Sequence, residues 1–415
     1  MKIRNFAVAA AIAVLAVSLA PASGFEENLY AARRDRLRPQ INGSAVLYSG
    51  RENPAHGIDK NFTYLTGLAV DDAFLLMSNA SRADKLFLDP ETNRSKGTDA
   101  AGISGIAIVL PRDQIGLYLA AGLAHDPDVF FPAAYAPSDP AYIYPSTLVI
   151  EQLLGTMLSV HRNNLTRRLA PKRMVKDPDE IDLLARAADI TARGLRTGLA
   201  ALRPGRIESD LQAAIEEAFL TQGAQGTSFP SIVGSGPNSL ILHYMENTRR
   251  MSAGEVVVVD VGAEFGRYAG DVTRTLPVSG VFTARQRQVY EVVLECQRRV
   301  FEACRPGVTL AYLNTVATSC AAEKGYGAYV NFSGWRHGTC HSLGLDAHDP
   351  YISSVPLAPG MIITVEPGIY LPGENLGVRV EDDVLITPGA CIVLTHARPR
   401  APDEIEAAIA GRLDR

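Results

Sequence analysis

Residues 255–276 read EVVVVDVGAEFGRYAGDVTRTL, and this stretch decides how the second half of the chain folds. Two apolar, β-branched runs flank a turn that contains Gly266, which predicts a β-hairpin. A run as apolar as VVVVD indicates a strand that is buried on both faces. The hairpin would bring Asp260 and Asp271 to one side of the sheet. Two carboxylates that lie so close repel each other unless cations lie between them.

Three further potential metal ligands follow along the chain, each in a polar interruption of an apolar stretch. His341 lies in HGTCHSLGLDAHD, Glu366 in ITVEPGIY and Glu381 in GVRVEDDVLI. Four carboxylates and one imidazole could bind two divalent cations, with carboxylates bridging and the histidine capping one ion. Two ions roughly 3.5–4 Å apart can hold a water and the carbonyl that it attacks, a geometry used by aminopeptidases.

The histidines near this cluster indicate a pocket rather than a zincin helix. His337 and His341 form HxxxH but lack the glutamate of the HExxH motif. Glycines at 334, 338 and 344 favour a loop in this segment. We therefore expect His341 to be the ligand, with His337 and His348 lining the pocket. Arg379 lies two residues before Glu381, so both side chains are expected on the same strand face.

Length and composition indicate what kind of protein carries this site. With 415 residues, of which 47% are apolar and 20% charged, the chain is expected to fold into two globular domains. A net charge of −5 and no Lys/Arg-rich run argue against a nucleic-acid partner. The short cluster Arg33, Arg34, Arg36 and Arg38 is predicted to lie on a solvated helix face.

The first residues have the pattern of a secretory signal peptide. Lys2 and Arg4 precede an apolar stretch that runs to Ala20, and Ala20-Pro21-Ala22 is typical of a cleavage site. We predict removal of residues 1–22 and export to the periplasm or secretion, with no stable membrane insertion after cleavage. The alternative is an uncleaved membrane anchor, for which the stretch is short. Five cysteines without CxxC spacing are expected to be small buried apolar residues.

Residues 23–165 are predicted to form an α/β domain. Apolar runs bounded by turn residues predict strands at 44–49, 74–78, 85–89 and 105–111. The stretch NFTYLTG, residues 61–67, reads as an aromatic strand that ends in glycine. A basic, proline-flanked stretch over 167–178 is expected to be the linker to the next domain.

Residues 166–415 contain a weak internal repeat. A helix is predicted to begin after Asp177, which can cap it. Arg203-Pro-Gly205 recurs as Arg305-Pro-Gly307, and Gly223 matches Gly325 at the same offset of 102 residues. Each copy reads as helix, RPG turn, helix and glycine stop. Duplication of this unit predicts a pseudo-symmetric α+β domain with helices on one face of a curved sheet.

The C-terminal half resembles the pita-bread metallopeptidases, and specifically their aminopeptidase P (Xaa-Pro aminopeptidase) branch. The N-terminal part resembles, more loosely, the creatinase-like domain of the same family. The stretches that carry the resemblance are KDPDEIDLLARAADIT (176–191), FPSIVGSGPNSLILHYMEN (229–247), DVGAEFGRYAGDVTRTLPVSG (260–280), HGTCHSLGLDAHD (337–349), PGMIITVEPGIY (359–370) and GVRVEDDVLIT (377–387).

The resemblance implies a set of roles. Two divalent metal ions per subunit, usually manganese and sometimes cobalt or zinc, would be held by five residues. Those ligands are Asp260, Asp271, His341, Glu366 and Glu381. Glu366 matches the carboxylate that helps to activate the metal-bound hydroxide. His243 matches a histidine near the substrate and its tetrahedral intermediate, and His348 matches a histidine behind the metal ligands that contacts the substrate. His337 and Arg379 match pocket residues around the proline side.

The implied activity is hydrolysis of the bond between an N-terminal residue and a following proline, by a hydroxide that a dinuclear centre holds. The substrates would be peptides with proline at the second position, and a homo-oligomer, dimer or tetramer, is expected. A dipeptidase (prolidase) that cuts only Xaa-Pro dipeptides is the alternative enzyme. A non-catalytic binding module with this fold is a third hypothesis, which retention of all five ligand positions disfavours.

Overall fold

The chain folds as two units that divide between Lys172 and Arg173. The sequence placed this boundary after residue 165. The computed structural model describes residues 28–50, 58–79, 83–89, 99–132, 145–155, 160–330, 338–352, 354–395 and 399–411. The predicted signal peptide and His337 lie outside these residues. Within the described ranges, no helix is long and apolar enough to cross a membrane.

A six-stranded mixed sheet forms the N-terminal unit, in the strand order β4-β3-β2-β1-β5-β6. Its strands are β1 (Ser44–Tyr48), β2 (Phe74–Ser78), β3 (Lys85–Leu88), β4 (Ile108–Pro111), β5 (Asp128–Phe131) and β6 (His161–Asn164). The helices of this part of the chain are α1 (Leu29–Leu37), α2 (Lys60–Thr66), α3 (Ala100–Ser104), α4 (Ile115–Leu123), α5 (Pro145–Leu154) and α6 (Thr166–Met174). The four predicted strands are β1 to β4, so the α/β prediction for this unit is confirmed.

One local prediction for this part of the chain is wrong. The aromatic stretch 61–67 is the helix α2, which Asp59 caps by accepting hydrogen bonds from two backbone amides and which ends at Gly67 with a φ of 70°. Every residue from Asn61 to Thr66 is buried, so the sequence lacks the polar face that would reveal a helical period. The stretch expected to link the domains, residues 167–178, contains the boundary between the two units and is largely the helix α6, which accommodates Pro171.

The arginines of α1 are not all solvated, contrary to expectation. Arg33 and Arg34 are 3% and 2% exposed. Arg34 donates to the backbone carbonyls of Leu65 and Ser104 and pairs with Asp84 at 2.7 Å. Buried guanidinium groups bound in this way tie the helix to its neighbours and leave no basic patch.

The C-terminal unit is built on two helical pairs and several short sheets. Its helices are α7 (Pro178–Gly198), α8 (Glu208–Thr221), α9 (Ala284–Ala303), α10 (Leu310–Glu323) and α11 (Pro402–Ile409). Its strands are β7 (Gly226–Thr227), β8 (Ile232–Ser235), β9 (Val256–Val261), β10 (Ala263–Phe265), β11 (Tyr268–Ala269), β12 (Val272–Pro277), β13 (Ile362–Val365), β14 (Gly368–Leu371), β15 (Leu376–Arg379), β16 (Asp382–Ile386) and β17 (Cys391–Val393). One apolar core joins residues of α7, α8 and α9 to residues of β9, β12 and β15.

The internal repeat is visible in the backbone of this unit. The RPG turns that join α7 to α8 and α9 to α10 contain Gly205 and Gly307, with φ values of 87° and 90°. Gly223 and Gly325 follow α8 and α10 with φ values of 93° and 84°. These positions lie in the left-handed region, which glycine adopts without a steric penalty. The two helical pairs confirm the pseudo-symmetric pita-bread prediction.

The hairpin predicted over 255–276 is present, with two short strands inserted at its tip. Strands β9 and β12 pair antiparallel, and Asp260 lies opposite Thr273. Asp271 directly precedes β12. The valines of β9 are at most 2% exposed, so the strand is buried as its composition predicted. The hairpin therefore delivers both aspartates to one end of the sheet.

Candidate active site

The five predicted metal-binding residues come together where strands of the C-terminal unit end. Asp260 lies near the end of β9, Glu366 directly follows β13, and Glu381 lies between β15 and β16. Ligand atoms of Asp271, His341 and Glu381 lie within 4.8 Å of one another. The Nε2 atom of His341 is 3.6 Å from Oδ2 of Asp271 and 3.5 Å from Oε1 of Glu366. The cluster thus assembles residues that are up to 121 positions apart in sequence.

The carboxylates of this cluster crowd one another in a buried environment. Burial, and then the charge of Glu381, raise the pKa of Asp271 well above its ordinary value. The same two causes raise the pKa of Glu366. Burial, together with the charge of Asp260, raises the pKa of Glu381 to about 8. Several carboxylates in one buried cluster repel one another, which indicates a site where bound positive charge stabilises their ionised forms.

The donor atoms fit divalent cations. The Oδ1 atoms of Asp260 and Asp383 are buried and have no hydrogen-bond partner among the described residues. A buried acceptor without a donor costs free energy unless another group, such as a cation, satisfies it. Carboxylate oxygens with a single imidazole suit manganese, cobalt or zinc better than a soft ion that prefers thiolates. The nearby thiol of Cys340 is buried, and burial raises its pKa well above its ordinary value.

Arg379 lies within the cluster and is 2% exposed. Its Nη2 atom donates to Oδ2 of Asp260 at 2.7 Å, and Nη1 donates to the hydroxyl of Tyr370 at 3.1 Å. Its Nε atom donates to Oγ1 of Thr273 at 3.2 Å, and Thr273 in turn donates to Glu381 at 2.6 Å. These bonds orient two of the carboxylates, a role that the sequence did not predict for Arg379.

A cavity of about 350 Å³ opens onto the cluster. All five predicted metal ligands line it, together with His243, His348 and Arg379. The rings of His341 and His348 lie with centroids 4.2 Å apart. An apolar wall completes the cavity, formed by Phe229, Pro230, Ile232, Leu242 and Met245. A peptide end would therefore meet charged groups on one side and apolar groups on the other.

The segment that carries both histidines is tied down by a charged network that sequence reasoning missed. Asp349 directly follows His348, is 2% exposed, and accepts hydrogen bonds from Arg173 at 2.5 Å and Lys176 at 3.3 Å. Lys176 also donates to Oγ of Ser342, the neighbour of His341. The only hint of this network in the sequence is the pair His348-Asp349. The basic partners of Asp349 lie more than 170 residues earlier, so the sequence does not reveal them.

Comparisons with known proteins agree with this site. A model of metallopeptidase family M24 matches residues 182–388. A Xaa-Pro aminopeptidase of Haemophilus influenzae is 32% identical over an alignment of 443 residues, which covers 93% of this chain and 97% of that protein. A Xaa-Pro dipeptidase of Pyrococcus furiosus is 37% identical over 227 residues, which covers 54% of this chain and 63% of that protein.

Solved structures extend the likeness to nearly the whole chain. The structure of aminopeptidase P from E. coli with the inhibitor Pro-Leu superposes with a TM-score of 0.78 at 28% identity, covering 94% of this chain and 99% of that one. The chain belongs to metallopeptidase family M24. Within that family it is a metallo-aminopeptidase with the fold of the aminopeptidase P structures.

Proposed function

We propose that this enzyme is a Xaa-Pro aminopeptidase, which hydrolyses the bond between an N-terminal residue and a following proline. The observation that carries the proposal is the assembly of four carboxylates and one imidazole in the lining of one cavity. Likeness to a Xaa-Pro aminopeptidase over 97% of that protein supports the substrate class.

The metal centre is proposed to be dinuclear. Asp260, Asp271, His341, Glu366 and Glu381 would hold two divalent ions, with manganese proposed and cobalt or zinc as alternatives. When bound, the ions supply an activated water as nucleophile and positive charge near the carbonyl oxygen that is attacked. Arg379 supports this arrangement because it engages Oδ2 of Asp260 and leaves Oδ1 of the same carboxylate unpaired.

The other polar side chains of the cavity are proposed to handle protons and charge. Glu366 lies beside His341 and can accept the proton of the attacking water. His243 and His348 line the same cavity and can donate to the developing oxyanion or to the leaving nitrogen of proline. His337 remains a proposed contact on the proline side from the sequence alone.

An aminopeptidase is favoured over a strict dipeptidase by the surroundings of Arg379. A dipeptidase needs a cation that captures the carboxylate directly after proline. Among the described residues, Arg379 is the one arginine that lines the cavity, and its guanidinium is already engaged by Asp260, Tyr370 and Thr273. The dipeptidase of P. furiosus also matches only 54% of this chain. Export of the mature chain and a homo-oligomeric state are proposed on the sequence alone.

Hydrolysis of matched tetrapeptides tests the proposal. Protein treated with a chelator and then loaded with manganese should cleave Gly-Pro-Gly-Gly and leave Gly-Ala-Gly-Gly intact. The chelated protein should cleave neither peptide. Equal cleavage of both tetrapeptides would refute the proline specificity, and full activity after chelation would refute the metal dependence.

A further inference from the structure

A buried carboxylate outside the metal cluster organises the segment that carries His243. Glu208 is the first residue of α8 and its side chain is fully buried. Its Oε1 atom accepts hydrogen bonds from the amide and hydroxyl of Ser235, both at 2.7 Å, and from Nδ2 of Asn238 at 3.3 Å. Its Oε2 atom accepts from the hydroxyl of Tyr244 and the amide of Arg249, both at 2.9 Å.

These five donors come from the two ends and the middle of one segment, residues 235–249. Ser235 ends β8, Arg249 lies where the chain returns to pair with the residues before α8, and Tyr244 lies between them. A single carboxylate therefore binds four residues of this 15-residue segment, Ser235, Asn238, Tyr244 and Arg249. Charge-assisted hydrogen bonds of this kind are stronger than hydrogen bonds between neutral groups, and a buried environment of low dielectric constant strengthens them further.

His243 lies within this anchored segment, directly before Tyr244. The imidazole lines the cavity, yet no hydrogen bond or ion pair holds it among the described residues. Leu242, directly before His243, is half-buried, and Met245, two residues after it, is 53% exposed. Tyr244, in contrast, is 7% exposed and fastened to Glu208. Tyr244 therefore anchors the backbone directly after His243 to Glu208.

We propose that Glu208 and Tyr244 are positioning residues, which act on the reaction by fixing His243 at the cavity. The inference rests on the proposed function, since it takes the reaction of His243 with an Xaa-Pro peptide as given. Misplacement of a reacting group by a fraction of an ångström to an ångström can lower turnover by one or two orders of magnitude.

A double-mutant cycle between Tyr244→Phe and His243→Ala tests the proposal. Tyr244→Phe removes one hydroxyl and should lower kcat on Gly-Pro-Gly-Gly by about tenfold, with KM and bound metal unchanged within about twofold. In the His243→Ala background the same substitution should change kcat by less than about twofold, because the group that it positions is gone. An equal loss in both backgrounds, or no loss in the wild-type background, would overturn the proposal.

Tyr290→Phe is the matched control. Tyr290 is likewise buried, and its hydroxyl donates to the carbonyl of Arg400 at 3.0 Å, away from the cavity. Its loss should lower stability as much as that of Tyr244 and leave kcat unchanged. A fall in kcat with Tyr290→Phe as large as with Tyr244→Phe would mean that lost stability explains both, and would refute positioning.

Hydrogen exchange gives a readout that needs no activity. Tyr244→Phe should speed amide exchange in a peptide covering 236–249 and leave a peptide covering β9 unchanged. Unchanged exchange over 236–249 would refute the anchor even in an active enzyme. Faster exchange in a protein that cleaves no Xaa-Pro peptide would sustain the anchor and refute the proposed function instead.

Discussion

The buried Arg379 forms an ion pair with Asp260, in which Nη2 of the arginine donates to Oδ2 of the aspartate at 2.7 Å. The two residues lie on neighbouring parts of the cavity wall, 119 positions apart in sequence. The pair leaves Oδ1 of Asp260 buried and without a hydrogen-bond donor among the described residues. Arg379 therefore fixes which oxygen of this carboxylate is free to bind a cation.

We expect Arg379→Met to weaken manganese binding by about 10- to 100-fold, as loss of a group that orients a metal ligand does. Competition with a fluorescent chelator measures the Kd for manganese. Arg285→Met is the control, because Arg285 forms an exposed pair with Glu374 at 2.7 Å. If Arg379→Met kept the wild-type Kd, the proposed orientation of Asp260 would be wrong.

Asp260→Ala should abolish activity and lower the number of bound ions, because the cluster loses a carboxylate that compensates cationic charge. Elemental analysis of purified, manganese-loaded protein measures the stoichiometry. Asp403→Ala removes an exposed carboxylate paired with Arg287 and should leave two ions bound. Two ions in Asp260→Ala would remove this residue from the metal site.

His243→Ala and His348→Ala should each retain the metals and lower kcat by roughly 10²-fold or more, as loss of proton transfer or oxyanion stabilisation does. His161→Ala serves as a control, since that side chain is 71% exposed and lies in the N-terminal unit. Steady-state kinetics with parallel metal analysis decides the matter. Wild-type turnover in either variant would exclude that histidine from the reaction.

The mature protein should begin at Ser23, because Ala20-Pro21-Ala22 fits the small-residue pattern of signal peptidase sites. Intact-mass spectrometry of the protein from its native envelope or secreted fraction measures the terminus. An intact Met1 in that fraction would indicate an uncleaved anchor and contradict the predicted processing.

The sequence predicted that the five proposed metal-binding residues come together because they lie at the ends of apolar runs. Asp260, Glu366 and Glu381 each interrupt an apolar stretch of the kind that forms a buried strand. Buried strands pack on a shared core, so polar residues at their ends can come together. The two RPG turns could also be predicted from the sequence, since their glycines adopt a left-handed backbone conformation that is sterically unfavourable for other residues.

Contacts made by single side chains over long distances were not predictable. Glu208 reads as an ordinary acidic residue in the first turn of a helix, where acids are common. Its five donors lie 27 to 41 residues later, and only the folded chain brings them together. The helix α2 was missed for a related reason, because complete burial removes the polar face that distinguishes a helix from a strand.

The ratio of kcat/KM on Gly-Pro-Gly-Gly to that on Gly-Pro tests the central claim most directly. With Arg379 engaged by Asp260, we expect the manganese-loaded enzyme to hydrolyse the tetrapeptide with the higher kcat/KM, since the one arginine that lines the cavity within the described ranges is not free to select a carboxylate next to proline. Cleavage of the dipeptide alone would make the enzyme a prolidase and contradict the account.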